Sequence, residues 1–102
     1  MRQGDIWFME LPGEKSRPAV VVSRDQVIPV LNEVVVAPVT TTLRSIPTCV
    51  PVGRAEGLDQ DSVATFDNLQ SVRKSYLTYK MGWLSPQGRR QMCDALMSMA
   101  DC

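Results

Sequence analysis

Arg17-Pro18-Ala19-Val20-Val21-Val22 and Val34-Val35-Val36-Ala37-Pro38-Val39 decide the fold. Both stretches are β-branched and carry apolar residues without the alternation of a half-solvated strand. Residues 19–22 and 34–36 are therefore expected to be central strands covered on both faces. Each stretch also holds a proline, which cannot donate to a β ladder, so Pro18 and Pro38 are expected at strand ends or edges. Similar runs at 6–11, 49–52 and 62–66 bring the expectation to at least five short strands. Between them lie turn-forming segments: Leu11-Pro12-Gly13-Glu14, residues 23–30 with Pro29, residues 43–47, and residues 53–61 with Gly57. This spacing predicts a mainly β fold, a small barrel or twisted sheet.

The C-terminal part reads differently. Ser85-Pro86 has the form of an N-cap followed by proline at the first helical position, opening a helix to about residue 100. Met92, Ala95, Leu96, Met99 and Ala100 recur at three- and four-residue intervals and form an apolar stripe, off which Arg89, Arg90 and Asp94 fall. The helix is expected to pack that stripe on the sheet or on a partner chain.

The whole chain of 102 residues has the size of one domain, and 44% apolar with 22% charged residues is an ordinary globular balance. Eleven basic residues balance eleven acidic ones, which removes the global field of a non-specific nucleic-acid binder, so any polyanion site must be local. The charge is unevenly distributed. Charged residues from 56 to 67 are all acidic, and those from 68 to 93 are all basic (Arg73, Lys74, Lys80, Arg89, Arg90). The split reads either as two solvated faces or as a basic wall for phosphate.

No run long and apolar enough to span a bilayer occurs, and Met1-Arg2-Gln3-Gly4-Asp5 does not resemble a signal peptide. A soluble, cytoplasmic protein with no membrane partner is expected. Cys49, Cys93 and Cys102 form no Cys-x-x-Cys pair and suit a reducing compartment. With no histidine in the chain, Ser-His and Cys-His nucleophile pairs and histidine metal sites are excluded. No metal and no cofactor is expected.

One combination of motifs goes further. Gly4-Asp5-Ile6-Trp7, the Pro-Gly-Glu turn, and Arg17-Pro18-Ala19-Val20-Val21-Val22-Ser23 resemble the opening of the MazF/PemK family of toxin endoribonucleases. Val36-Ala37-Pro38-Val39-Thr40-Thr41 is similar to that family's third strand, and Ile46-Pro47-Thr48 to its next hairpin. The segment from Asp61 to Leu77 aligns too, so the likeness covers nearly the whole chain. The resemblance implies a mainly β, SH3-like or CcdB-like small barrel with a C-terminal helix, acting as a homodimer in the bacterial cytoplasm. It implies cleavage of single-stranded RNA without metal, and a cognate antitoxin lying across the RNA groove.

The resemblance puts Arg17 and Thr40 at the two catalytic positions. The residues themselves support this in part, since an arginine just before a buried strand and a threonine ending one both stand at a rim and can face one groove. Taken alone, they suit equally a surface ion pair of Arg17 with Glu14 and a β-favouring threonine. The resemblance assigns Asp67 and Asn68 to RNA binding near the bases, which suits a carboxylate and an amide facing splayed base edges. Glu14 joins the RNA-binding set as the carboxylate nearest the position where relatives carry a helper glutamate, which here is Pro12. Ser23, beside Arg24, either touches phosphate or opens the following turn. Trp7 and Trp83 are expected in the core or at a dimer interface. Relatives carry glutamine at the Asn68 position, which bears on base preference. The contrasting readings are a CcdB-like toxin that binds DNA gyrase through its helix end, without RNase activity, and an inactive RNA-binding module.

Overall fold

The computed structural model describes residues 1–100, so the expectation for Cys102 lies outside the described residues. Strands β1 (Asp5–Met9), β2 (Arg17–Val21), β3 (Glu33–Thr40), β4 (Cys49–Val52), β5 (Ser62–Thr65), β6 (Gln70–Arg73) and β7 (Leu77–Trp83) precede one helix, α1 (Pro86–Met99). All seven strands belong to one sheet in the order β4-β5-β3-β2-β1-β7, with β6 also paired to β3. Every pairing is antiparallel. The result is a half-barrel sheet with a C-terminal helix.

The uninterrupted apolar runs are explained by two cores, one on each side of the central strands. Val20 and Ala37 point to a core with Ile6, Val39 and Phe66, whereas Ala19, Val21, Val34 and Val36 point to a second core with Met9 and Val72. Alternate residues of one strand thus both find apolar surroundings. Phe66 is fully enclosed, and burial of such a ring contributes about 3 kcal/mol.

Pro38 departs from its expected place at a strand end or edge. It lies inside the longest strand, where β3 changes partners. Glu33 to Val36 pair with β6 and Val39 and Thr40 pair with β5, so the side toward β5 and β6 has a break at Ala37 and Pro38. The proline occupies the place where that side needs no ladder donor. Its carbonyl still accepts a bond from the Thr65 hydroxyl at 2.7 Å.

The curl is closed by backbone contact between the turn that follows β4 and the edge strand β7. A Cβ on Gly57 would overlap the Met81 carbonyl oxygen, and one on Gly82 would overlap that of Glu56. Gly57 also has φ +95°, in the left-handed region.

Helix α1 begins as expected, with Pro86 in its first turn and the Ser85 hydroxyl oxygen accepting from the Gly88 amide at 3.0 Å. Ser85→Ala should therefore lower stability by about 1 kcal/mol, read as a lower urea midpoint at unchanged slope. The apolar stripe is shorter than expected. Met92 and Ala95 enter the first core and Leu96 packs against it, but Met99 is exposed and Ala100 lies in solvent. The helix outlasts the sheet beneath it. Trp7 packs against the second core, whereas Trp83 is 63% exposed with the Lys80 ammonium over its ring, so it is not a core residue.

Candidate RNA-cleavage site

The turn between β1 and β2 is set by Gly13, at φ +76°, and by the Glu14 amide donating to the Leu11 carbonyl at 3.2 Å. It delivers Arg17 as the first residue of β2, opposite Met9. The guanidinium is exposed and has no hydrogen bond or ion pair among the described residues, so the surface pair with Glu14 is not formed. Thr40 ends β3 opposite Val63 of β5. Its hydroxyl oxygen accepts from the Thr42 amide at 3.2 Å, which occupies a lone pair and leaves the hydroxyl proton free to donate elsewhere.

Register brings the two together. The β2/β3 ladder pairs Val21 with Val36, Val20 with Ala37 and Ala19 with Pro38. The ladder ends there, and Arg17 and Thr40 each lie two residues beyond its last pair, at the same end of the two strands. Side chains repeat every second residue, so both share the face of Ala19, Val21 and Val36. On either side, Met9 stands opposite Arg17, and Val63 stands opposite both Thr40 and Pro51.

Beyond Val63 and Pro51 lies an open cleft of about 1020 Å³ between the β3–β4 loop and the β4–β5 hairpin. Leu43, Arg44 and Ile46 form its outer wall, with Cys49 also in the lining. Asp67 and Asn68 sit in a one-turn helix, Phe66–Asn68, directly after β5, and both are exposed. The Phe66 amide donates to the Thr48 carbonyl at 2.9 Å, which pins this turn to the end of the cleft-forming loop. Asp67 and Arg44 act on the same group. Burial pushes the Cys49 thiol up from its ordinary pKa, the Asp67 carboxylate adds to the rise and the Arg44 guanidinium opposes it. Cys49 therefore remains a neutral, buried thiol.

The structure does not assemble every expected residue. Glu14 lies exposed in the β1–β2 turn near Arg17 without a partner among the described residues. Ser23 lies past the far end of β2, about 20 Å along the strand from Arg17. Its hydroxyl oxygen accepts from the Val35 amide at 2.8 Å, which is the turn-opening alternative and not a place beside Arg17. Three of the five basic residues between 68 and 93 are engaged within the fold, while Arg73 and Arg90 stay exposed. Lys74 donates to the Ile28 carbonyl at 2.7 Å, Lys80 pairs with the buried Asp5 at 3.4 Å, and Arg89 donates to the Gln3 carbonyl.

Arg44 is not among the expected site residues; residues 43–47 read as a turn, with Ile46-Pro47-Thr48 resembling the start of the family's next hairpin. The available signal was a cation between two large apolar side chains, Leu43 and Ile46, in a loop starting next to Thr40; both apolar residues stay in solvent. Among the described residues no group of three or more His, Cys, Asp or Glu side chains is arranged to hold a metal ion. No helix among them is long and apolar enough to cross a membrane.

Known proteins resemble both the chain and its fold. A probable endoribonuclease MazF5 of Mycobacterium tuberculosis is 34% identical over 98% of this chain and 93% of its own length. The same organism's endoribonuclease MazF3 is 36% identical over 86% of this chain and 85% of its own. In structure, the M. tuberculosis toxin MazF-mt6 superposes with a TM-score of 0.88 at 35% identity, over 95% of this chain and 96% of that one. An endoribonuclease in complex with its cognate antitoxin, from a mycobacterial species, gives a TM-score of 0.88 at 27% identity, over 98% and 94%. The family model described as PemK-like, MazF-like toxin of type II toxin-antitoxin system matches residues 2–100, and the chain belongs to that family.

Proposed function

We propose that this chain is a bacterial, cytoplasmic endoribonuclease toxin that cuts single-stranded RNA and is neutralised by a cognate antitoxin. The observation that carries the reading is the placement of an unpaired arginine and an oriented threonine hydroxyl on one face at the open end of the β2/β3 ladder. The family match favours it over a gyrase-directed toxin, which needs neither group.

The nucleophile is the substrate's own 2′-hydroxyl, which is why a chain without histidine, activated serine or activated cysteine suffices. The 2′-oxygen gives up its proton to water and bonds to the adjacent phosphorus. The bond from phosphorus to the 5′-oxygen breaks, and that oxygen takes a proton from water, so that one proton passes in net from the 2′- to the 5′-oxygen. The products are a 2′,3′-cyclic phosphate and a 5′-hydroxyl. Negative charge rises on the phosphate in the transition state, and fixed donors aimed at it lower the barrier. Arg17 supplies a permanent cation in a planar fork. Thr40, its lone pair held by the Thr42 amide, points a hydrogen-bond donor at a phosphate oxygen. Asp67 and Asn68 contact the edges of unstacked bases.

The antitoxin is read as an extended acidic and apolar segment that occupies the same groove. A single domain that pairs as a homodimer is the working unit. Support comes from the large apolar side chains one copy leaves in solvent, Trp83 and Met97 among them. No metal or cofactor takes part.

The test is end-mapped cleavage of a mixed-sequence RNA in EDTA. Cutting with cyclic phosphate ends is expected, and a substrate with a single 2′-deoxy at the scissile nucleotide should bind and stay intact. Cleavage of that deoxy substrate, or a metal requirement, overturns the chemistry. Asn68→Gln and Asp67→Asn should each move the preferred cleavage sequence. Unchanged sites in both variants would shift base reading to the β1–β2 turn.

A further inference from the structure

One edge of β3 is paired with β6 as far as Val36 and with β5 from Val39 onward, so Ala37 and Pro38 lie in a gap between two ladders. Pro38 has no amide, and the polar backbone group it brings is its carbonyl. The Thr65 hydroxyl donates to that carbonyl at 2.7 Å in a buried bond. The next backbone donor along the chain, the Phe66 amide, is committed to the Thr48 carbonyl at 2.9 Å. A side chain therefore stands where a ladder amide would otherwise be needed.

The position of this bond ties the parts of the candidate site together. Ala19 opposite Pro38 is the last pair of the β2/β3 ladder, and Arg17 and Thr40 each lie two residues beyond it. Past that level β3 is paired with β5 alone, through Val39 with Ala64 and Thr40 with Val63. On the other side of the bond, Thr65 is the last residue of β5 and directly precedes the one-turn helix that exposes Asp67 and Asn68. One hydroxyl thus joins the strand end that carries Thr40 to the turn that carries the two base-facing residues.

Resting on the RNase reading above, we infer that Thr65 is a positioning residue for cleavage, whose hydroxyl sets β3 against the end of β5 and so fixes Thr40 at the phosphate relative to Asp67 and Asn68 at the bases. Thr65 is itself buried, so it acts through the residues on either side and not by touching RNA. Only two backbone pairs set the register of β3 with β5, so a third bond beside them counts. Valine matches threonine in shape but lacks the hydroxyl. Thr65→Val therefore leaves the Pro38 carbonyl buried and unpaired, and β3 must shift to find it a partner. A displacement of about 1 Å at a reacting group costs up to about a hundredfold in rate.

The experiment compares wild type with Thr65→Val, Thr65→Ser and Ser85→Ala in the full chain, at a temperature where urea titration shows each variant folded. Ser85→Ala is the stability control, because the bond it removes is confined to the first turn of α1. Two quantities are read: the single-turnover rate at saturating RNA, and the ratio of rates between the preferred cleavage sequence and a one-base variant of it. Thr65→Val should slow cleavage about tenfold and narrow the ratio. Thr65→Ser, which keeps the donor, should stay close to wild type in both, and Ser85→Ala should change neither. In a Thr40→Ala background, Thr65→Val should slow cleavage further by no more than about twofold, because the group it positions is gone. Where Thr65→Val does not fold, Thr65→Ala, which leaves space for a water at the carbonyl, carries the same expectations. A folded Thr65→Val that cuts at the wild-type rate with the wild-type preference gives the hydroxyl a role in stability alone and overturns the proposal. So does a Thr65→Ser as slow as Thr65→Val, or an undiminished loss on top of Thr40→Ala. Failure of wild type to cut single-stranded RNA removes the RNase reading, and the role of Thr65 with it.

Discussion

Arg17→Ala should slow cleavage about a hundred- to a thousand-fold in single-turnover assays, with RNA affinity largely kept. The guanidinium sits at the exposed start of β2 and makes no hydrogen bond or ion pair among the described residues, so its removal leaves no buried group unpaired. The loss therefore falls on the transition state, where the phosphate gains charge, and not on the stability of the protein. Arg17→Lys keeps the charge without the fork and should lie between the two. Thr40→Ala should approach the same loss, while Thr40→Ser, which keeps the hydroxyl that the Thr42 amide orients, should recover most of the rate. An Arg17→Ala protein cutting at near-full speed, with an unchanged thermal midpoint, would refute the assignment.

The largest effect on stability is expected from one methyl group at Gly82. A Cβ there would overlap the Glu56 carbonyl oxygen and stand 3.4 Å from the Gly57 Cα. Both neighbours are backbone, so neither can swing aside as a side chain would, and one of two paired segments must move. Gly82→Ala should cost about 3 kcal/mol, enough to raise the unfolded fraction by about a hundredfold. Gly57→Ala should cost at least as much, because overlap with the Met81 carbonyl oxygen is joined by a left-handed backbone. Urea titration of both variants checks this. A Gly82→Ala midpoint equal to that of wild type would mean that the contact does not close the sheet.

Five strands and the helix start were legible in the sequence because their signals are local. Cys49 to Val52 is a β-branched apolar run bounded by turns, and Ser85-Pro86 is a cap that acts within four residues. Strands β6 and β7 were not, since Gln70-Ser71-Val72-Arg73 and Leu77-Thr78-Tyr79-Lys80 have little apolar periodicity. They are strands because β3 and β1 offer unpaired edges to them. The exposed end of the methionine stripe was illegible for the opposite reason: periodicity tells which face of a helix is apolar, not where the surface beneath it ends. In the candidate site, Arg17 and Thr40 could be placed at a rim from the strands they bound. That they share a face depends on the β2/β3 register. Arg44 stood out only as a cation between Leu43 and Ile46, because it comes to line one cleft with Cys49 and Val63 only when the β4–β5 hairpin folds back beneath the loop.

The pairing of β1 with β7 also sets the order in which the protein can be built. Asp5 lies opposite Trp83 and Met9 opposite Leu77, so the first strand made waits for the last before its outer edge is covered. Loop closure over such a separation must be met before its contacts give anything back, which places folding among slow β topologies, in milliseconds to seconds. During synthesis β1, β2 and β3 can meet early, but the strand that presents Met9 beside Arg17 is braced on both sides only after Trp83 has left the ribosome. For a protein whose activity threatens the cell that makes it, that delay separates the appearance of the chain from the appearance of its activity.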